Sequence, residues 1–164
     1  MGKIGRFLSF TRRERKLICE AGILLVISNL CIRTIAFRHI YTFLNSSWID
    51  CSRSPGDSED DIKLINLSVS RASKSFPWTR ACLSKSIAAF IMLRRRGIPA
   101  MILAGARFNA SSLFAHAWLC AGRGEHYGND DSRPFVALIS VGHEASSIVK
   151  SVPPTTPPPR MARQ

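Results

Sequence analysis

The residues best suited to chemistry in this chain are a cysteine and a histidine that stand 34 positions apart. Cys82 follows the run Phe76-Pro77-Trp78, where a proline-led turn delivers it to the first turn of a long apolar helix. Backbone N–H groups at a helix start lack intrahelical partners and carry partial positive charge, which favours the thiolate. His116 lies in a strand-like run, Phe114 to Trp118. A cysteine at a helix start and a histidine on a later strand are the first two parts of a nucleophilic site.

A third group is needed to hold the imidazole in its productive tautomer. It should come from the next strand or from the approach to that strand. Three residues just before the predicted strand 134–141 are candidates: Asn129, Asp130 and Asp131. An Asn-Asp-Asp sequence beside a glycine is also typical of a plain turn, so the turn interpretation stays open for each of them.

The sequence before Cys82 is mostly helical. Apolar residues recur at three- and four-residue spacing from Thr11 to about Leu44, and Thr11 with Glu14 makes a capping box at the start. Residues 45–61 are rich in Ser, Asp, Pro and Gly, which predicts a loop. A further helix is predicted over Asp60–Ser73, and Phe76-Pro77 ends it.

The elements that follow predict the fold class. Cys82 begins the most clearly predicted helix, which extends to Arg96 and has Gly97 as its C-cap. Three strands are then expected over Ile98–Phe108, Leu113–Ala121 and Pro134–Val141, with a turn region at 122–133. Helices followed by strands predict an α+β fold with a small antiparallel sheet. The expected organisation is a helical region at 1–44, an acidic loop at 45–61, a core at 62–150 and a disordered Pro-rich tail at 151–164.

The composition indicates the size of the domain, the charge of its partners and the redox state of its compartment. A chain of 164 residues is long enough for one domain with a real core. Its formal net charge of +12 suits an acidic peptide, a nucleic acid or an anionic membrane surface. The five cysteines, at 19, 31, 51, 82 and 120, form no CxxC pair, which argues against disulfides or zinc and favours a reducing, cytoplasmic compartment. We expect Cys19 and Cys31 to be buried structural thiols.

The apolar run from Ala21 to Ile32 is the one segment that could contact a membrane. It lies too far from the N-terminus for a signal peptide, and no small-residue cleavage site follows it. Its twelve residues are fewer than the roughly 18 that a bilayer span requires. We therefore expect a helix that packs against the core, with peripheral contact with a membrane surface as the alternative.

Four blocks of sequence together resemble the lasso peptide biosynthesis B2 proteins, which are leader peptidases with a transglutaminase-like cysteine protease core. The resemblance extends from about Phe7 to Val141 and implies a transglutaminase-like, papain-like core. The blocks are Pro77-Trp78-x-x-x-Cys82-Leu83, Met92 to Ala100, Gly105-Ala106-Arg107 and Phe114-Ala115-His116-Ala117-Trp118.

The resemblance implies a Cys-His-Asp site in which Cys82 is the nucleophile, His116 its base and Asp130 the third member, with Asn129 and Asp131 as alternatives. Cys120 stands where the family has an acidic residue. The implied reaction removes the leader from a ribosomally made lasso peptide precursor. Implied partners are the precursor, a separate leader-recognition (B1-type) protein and an ATP-dependent lasso cyclase, with no nucleic acid, no cofactor and no metal.

Two other functions remain open. The same Cys-His-Asp core supports amine transfer in transglutaminases, so the enzyme could form amide bonds instead of hydrolysing them. Alternatively, the absence of an acid at Cys120 fits a non-catalytic basic scaffold that presents the precursor to partner enzymes.

Overall fold

The computed structural model describes residues 10–46, 58–76, 82–109, 112–121, 125–127 and 136–142. Helices come first along the chain and strands last, so the predicted α+β class is confirmed. The four helices are α1 (Arg12–Thr34), α2 (Phe37–Asn45), α3 (Ser58–Ser75) and α4 (Cys82–Arg94). The four strands are β1 (Ala100–Asn109), β2 (Ser112–Ala121), β3 (Glu125–Tyr127) and β4 (Val136–Val141).

The strands form one antiparallel sheet in the order β3-β2-β1-β4. The three predicted strands correspond to β1, β2 and β4, while β3 lies in the segment predicted as a turn region. Pairing between β1 and β4 changes register between Ala104 and Gly105, which leaves Leu138 as the extra residue of a bulge. A bulge bends the strands locally and increases their twist.

Helix α4 is the centre of the fold. It contacts α1 and α3 on the one hand and strands β1 and β2 on the other. For this reason it is buried almost all round, Ser84 and Ser86 included, and not only along one apolar face. Its end is two residues earlier than predicted, because Arg95 and Arg96 belong to the turn that follows.

The predicted glycine C-cap of α4 is confirmed. Gly97 has a φ of 72°, a left-handed conformation that side chains with a Cβ rarely adopt. The Gly97 N–H donates to the Arg94 carbonyl, and the Ile98 N–H donates to the Leu93 carbonyl. This pair of hydrogen bonds is a Schellman motif, which turns the chain directly from α4 into β1.

The helical segment predicted from Thr11 to Leu44 is two helices. Ile35 is extended, with φ −112° and ψ 135°, and Ala36 is extended as well. Thr34 and Ile35 are both β-branched, a side-chain type that fits a helix less well. The Thr34 hydroxyl donates to the Leu30 carbonyl, a local bond of the kind that competes with helix propagation.

The predicted capping box at the start of α1 is present. The Glu14 N–H donates to the Thr11 hydroxyl at 3.2 Å, and the Thr11 N–H donates to the Glu14 carboxylate at 3.0 Å. Glu14 also pairs with Arg71 of α3 at 3.1 Å. The cap therefore fixes the start of α1 and also joins α1 to α3.

We expect Glu14 to make the free energy of unfolding depend on pH in the acidic range. Hydrogen bonds from Thr11 and Arg71 lower the pKa of Glu14 from its ordinary value of 4.5. A lowered pKa in the folded state stabilises the protein above the unfolded value, and this contribution is lost as the pH falls through the folded value. Urea unfolding is to be measured at several pH values between about 6 and about 3. Over this range the free energy of unfolding should fall more for wild type than for Glu14→Gln. The control is Glu59→Gln, which replaces an exposed acid of α3 and should lose stability with pH as wild type does. Equal losses of unfolding free energy in wild type and Glu14→Gln would contradict the role of Glu14.

Candidate active site

Cys82 is the first residue of α4 and is half-buried. It is a free thiol. Its place agrees with the predicted helix start, at the end of the central helix where backbone N–H groups lack intrahelical partners. Residues 77–81, which include Trp78 of the sequence motif, lie outside the described residues.

His116 lies on β2 and is also half-buried. Its ring stacks on that of Trp118, with centroids 6.1 Å apart and planes at 14°. Directly opposite on β1 is Gly105, a residue with no side chain. Side chains at opposed positions normally approach within about 5 Å, and at Gly105 the imidazole has no directly opposed side chain on β1.

The imidazole belongs to one particular face of the sheet. Opposed residues of antiparallel strands share a face, so His116 and Gly105 lie on the same side as two buried pairs, Leu103–Trp118 and Met101–Cys120. The alternate pair Ile102–Leu119 belongs to the main core, together with the residues of α4. Helix α4 therefore packs on the sheet face opposite to that of the imidazole.

Path lengths bear on where Cys82 lies along the sheet. The chain reverses between Arg94 and Ala100. Twelve helical steps from Arg94 to Cys82 cover about 18 Å, and six strand steps from Ala100 to Ala106 cover about 20 Å. A helix strictly antiparallel to β1 would bring Cys82 level with Gly105 and Ala106, next to the bulge in the β1–β4 pairing.

Within the part of the chain that the structure describes, no hydrogen bond joins the Cys82 thiol to another residue, His116 included. Catalytic hydrogen bonds in unliganded enzymes are often long or poorly aligned and tighten when substrate binds. Bulges are frequent next to active sites, where they re-aim side chains. The described residues thus include a cysteine and a histidine on the expected elements, a helix start and a strand, with no hydrogen bond between the two side chains.

The other described cysteines differ in how deeply they are buried. Cys120 is fully buried beside Met101 and Trp118, and burial raises the pKa of its thiol. It is therefore a structural thiol at the position where the B2 proteins have an acid. The expectation that Cys19 and Cys31 are buried was wrong for Cys19, which is exposed, and Cys31 is half-buried.

The three candidates for the third catalytic residue, Asn129, Asp130 and Asp131, all lie outside the described residues. Among the residues that are described, no group of three or more His, Cys, Asp or Glu side chains could hold a metal ion. Sequence reasoning missed the bulge in the β1–β4 pairing beside Gly105 and the pairing of Gly105 with His116. A glycine inside a strand pattern was the available signal.

Comparison with known proteins shows the superfamily to which this chain belongs. A family model described as the transglutaminase-like superfamily matches residues 33–139, about two thirds of the chain. The chain belongs to the transglutaminase-like superfamily. The matched span contains Cys82, His116 and Asp130, and it begins at Arg33, near the end of α1. No curated protein and no solved structure gives a significant match.

Membership of the transglutaminase-like superfamily indicates cysteine-based chemistry, either hydrolysis or acyl transfer. Both reactions need a nucleophilic thiol, a histidine that moves protons and a group that orients the histidine. Cys82 at the start of the central helix and His116 on β2 are the candidates for the first two, in the expected chain order.

Proposed function

We propose that this transglutaminase-like protein is a cysteine peptidase that removes the leader from a lasso peptide precursor and frees the core N-terminus for macrolactam formation. The observation that carries the proposal is the order of the elements: Cys82 begins the central helix, and His116 lies on β2, a strand that this helix contacts. The four sequence blocks that resemble the B2 proteins supply the substrate class.

In the proposed mechanism the Cys82 thiolate attacks the carbonyl carbon of the peptide bond between leader and core. The backbone N–H of Cys82 stabilises the oxyanion of the tetrahedral intermediate. Protonated His116 gives its proton to the departing core amine, and the leader remains as a thioester on Cys82. Neutral His116 then takes a proton from water, which attacks the thioester and releases the leader carboxylate and the thiol.

Because α4 packs on the sheet face opposite to that of the His116 side chain, this mechanism requires the thiol and the imidazole to meet when the precursor binds. The bulge in the β1–β4 pairing lies beside Gly105, the residue opposite His116. Gly105 offers no side chain that would stand in the way. Dependence on a precursor-bound state agrees with the proposed need for a separate recognition protein.

The third member of the proposed site is Asp130. The segment 128–131 follows β3, and β3 pairs with β2, the strand that carries His116. The resemblance to the B2 proteins implies an acidic residue in that segment. All three candidates, Asn129, Asp130 and Asp131, lie outside the described residues.

Replacement of the three candidates one at a time tests this assignment. We expect Asp130→Ala to lower kcat/KM about 10²- to 10⁴-fold, because the imidazole loses the group that fixes its tautomer. Asn129→Ala and Asp131→Ala are the matched controls and should stay within about threefold of wild type. A larger loss in either control than in Asp130→Ala would move the role to that neighbour.

The proposed partners are the precursor peptide, a B1-type recognition protein and an ATP-dependent lasso cyclase, with no nucleic acid and no cofactor. Within the described residues 10–46 the secondary structure elements are helices. The proposal assigns leader recognition to a separate B1-type chain, as the resemblance to the B2 proteins implies. We place the reaction in the cytoplasm, where the free thiols at Cys19, Cys31, Cys82 and Cys120 would remain reduced.

The direct test is to incubate the purified protein with its precursor and the recognition protein, and to follow leader release by mass spectrometry. Addition of a primary amine separates the two chemistries of the superfamily. Free leader carboxylate in the presence of the amine supports the peptidase, whereas a leader–amine amide as the main product supports a transglutaminase. Intact precursor in every reaction would favour the non-catalytic scaffold.

A further inference from the structure

The solvent-facing side of α1 carries an apolar stripe. Four aliphatic residues share this side at intervals of three and four, which is the spacing of one helix face. They are Ile23, Val26, Ile27 and Leu30, with exposed fractions of 61, 41, 50 and 59%. The opposite side of the helix already supplies Leu17, Ala21 and Leu25 to the core. The stripe is therefore surplus to the packing of the described residues.

Exposed cations stand at both ends of the stripe. Exposed Lys16 precedes it and exposed Arg33 follows it. Along one side, Arg95 and Glu20 line the same cleft, of about 650 Å³, as Ile23 and Ile27. The stripe thus has a cation at each end and an ion pair along one side.

Of the two acids of α1, Glu14 pairs with Arg71 of α3, and Glu20 pairs with Arg96 at 2.6 Å and with Arg95 at 3.3 Å. Glu20 lines the same cleft as Ile23 and Ile27, so it offsets the charge of Arg95 on that side. The cations at the two ends, Lys16 and Arg33, have no ion-pair partner among the described residues. An apolar band between exposed cations is the pattern of helices that lie in a membrane interface.

A second copy of the chain suits this surface less well. If two stripes paired antiparallel about a two-fold axis, Lys16 of each copy would approach Arg33 of the other, and like charges would meet at both ends. A lipid surface with phosphate headgroups offers the opposite charge at every one of these positions.

Length and composition alone would also let α1 cross a bilayer. The inner side of α1 packs against the rest of the protein, however, since Leu17, Ala21 and Leu25 are buried. In addition, Glu14 pairs with Arg71 of α3, and Glu20 pairs with Arg96 just after α4. A spanning helix would have to break these contacts. A helix that lies flat can keep them and still insert its outer stripe.

We propose that α1 docks this protein on anionic bilayer surfaces, with the stripe inserted among the acyl chains and the flanking cations at the lipid phosphates. Almost all of α1 precedes the span matched by the family model, so this surface is an addition to the catalytic domain. The proposal goes beyond the proposed function and is independent of it, because its readout is binding to lipid and not cleavage.

Sedimentation of the full-length protein with vesicles tests the proposal. One set of vesicles contains phosphatidylcholine alone, and the other contains equal parts of phosphatidylcholine and phosphatidylglycerol. We expect wild type to sediment with the anionic vesicles and to be released by high salt. The double variants Ile23→Gln/Ile27→Gln and Lys16→Gln/Arg33→Gln should each bind at least about tenfold more weakly. The matched control is Leu67→Gln/Leu113→Gln, two exposed leucines outside the stripe, which should bind like wild type.

Other results would overturn the proposal. Equal sedimentation of wild type with neutral and anionic vesicles would do so, as would undiminished binding by the stripe variant. Release only by detergent would indicate insertion across the bilayer instead. A dimer in light scattering that the stripe variant abolishes, with no vesicle binding by wild type, would assign the stripe to a second copy.

Discussion

Cys82→Ala is expected to abolish leader release, with a loss in kcat of about 10⁴-fold or more. Alanine cannot form the thioester, and the remaining groups have no alternative nucleophile to activate. Mass spectrometry of the precursor over time measures the loss, and a stoichiometric leader adduct on wild type but not on the variant would identify the thioester.

The other free cysteines provide the control for this prediction. Cys19 is exposed on α1, outside the candidate site, so Cys19→Ala should release leader at a rate within about twofold of wild type. Equal thermal unfolding midpoints for the two variants would exclude misfolding as the cause of the loss. Leader release that survives in Cys82→Ala would refute the assignment of the nucleophile.

Signals local to a few residues were enough to predict the two ends of the helical framework. The capping box of Thr11 and Glu14 and the glycine cap at Gly97 are both present in the structure. Each depends on hydrogen bonds between residues close in the chain, so sequence spacing alone determines them. The position of Cys82 at the start of α4 was predictable for the same reason.

Features that depend on tertiary packing were not predictable in this way. Alternation places His116 and Trp118 on one face of β2, but it cannot tell which face α4 covers. The exposure of Cys19 depends on which side of α1 meets α3 and α4. The short strand β3 has only three residues, too few for a period-2 pattern to distinguish it from a turn.

The family membership and the local geometry contribute different parts of the functional argument. The match to the transglutaminase-like superfamily indicates cysteine chemistry but not its acceptor, because water and amines can both resolve a thioester. The elements that carry Cys82 and His116 agree with that chemistry. Among the described residues no hydrogen bond joins the Cys82 thiol to His116, so the behaviour of His116 is the most informative test of the site.

His116→Ala is expected to lower kcat/KM for leader release by about 10³- to 10⁵-fold, because both proton transfers lose their carrier. The residual rate should also lose the pH dependence that the imidazole confers on wild type. Leu113→Ala, an exposed position on the same strand, is the control and should keep both the rate and the pH profile.

Free imidazole in the buffer should restore part of the activity of His116→Ala. The position opposite His116 is Gly105, so truncation of the histidine leaves a space that no side chain from β1 fills. Rescue that rises with imidazole concentration would show that a base at this place serves Cys82 during turnover, and therefore that the two groups meet when substrate is bound. Wild-type activity in His116→Ala without imidazole would assign the base elsewhere and leave His116 as a packing partner of Trp118.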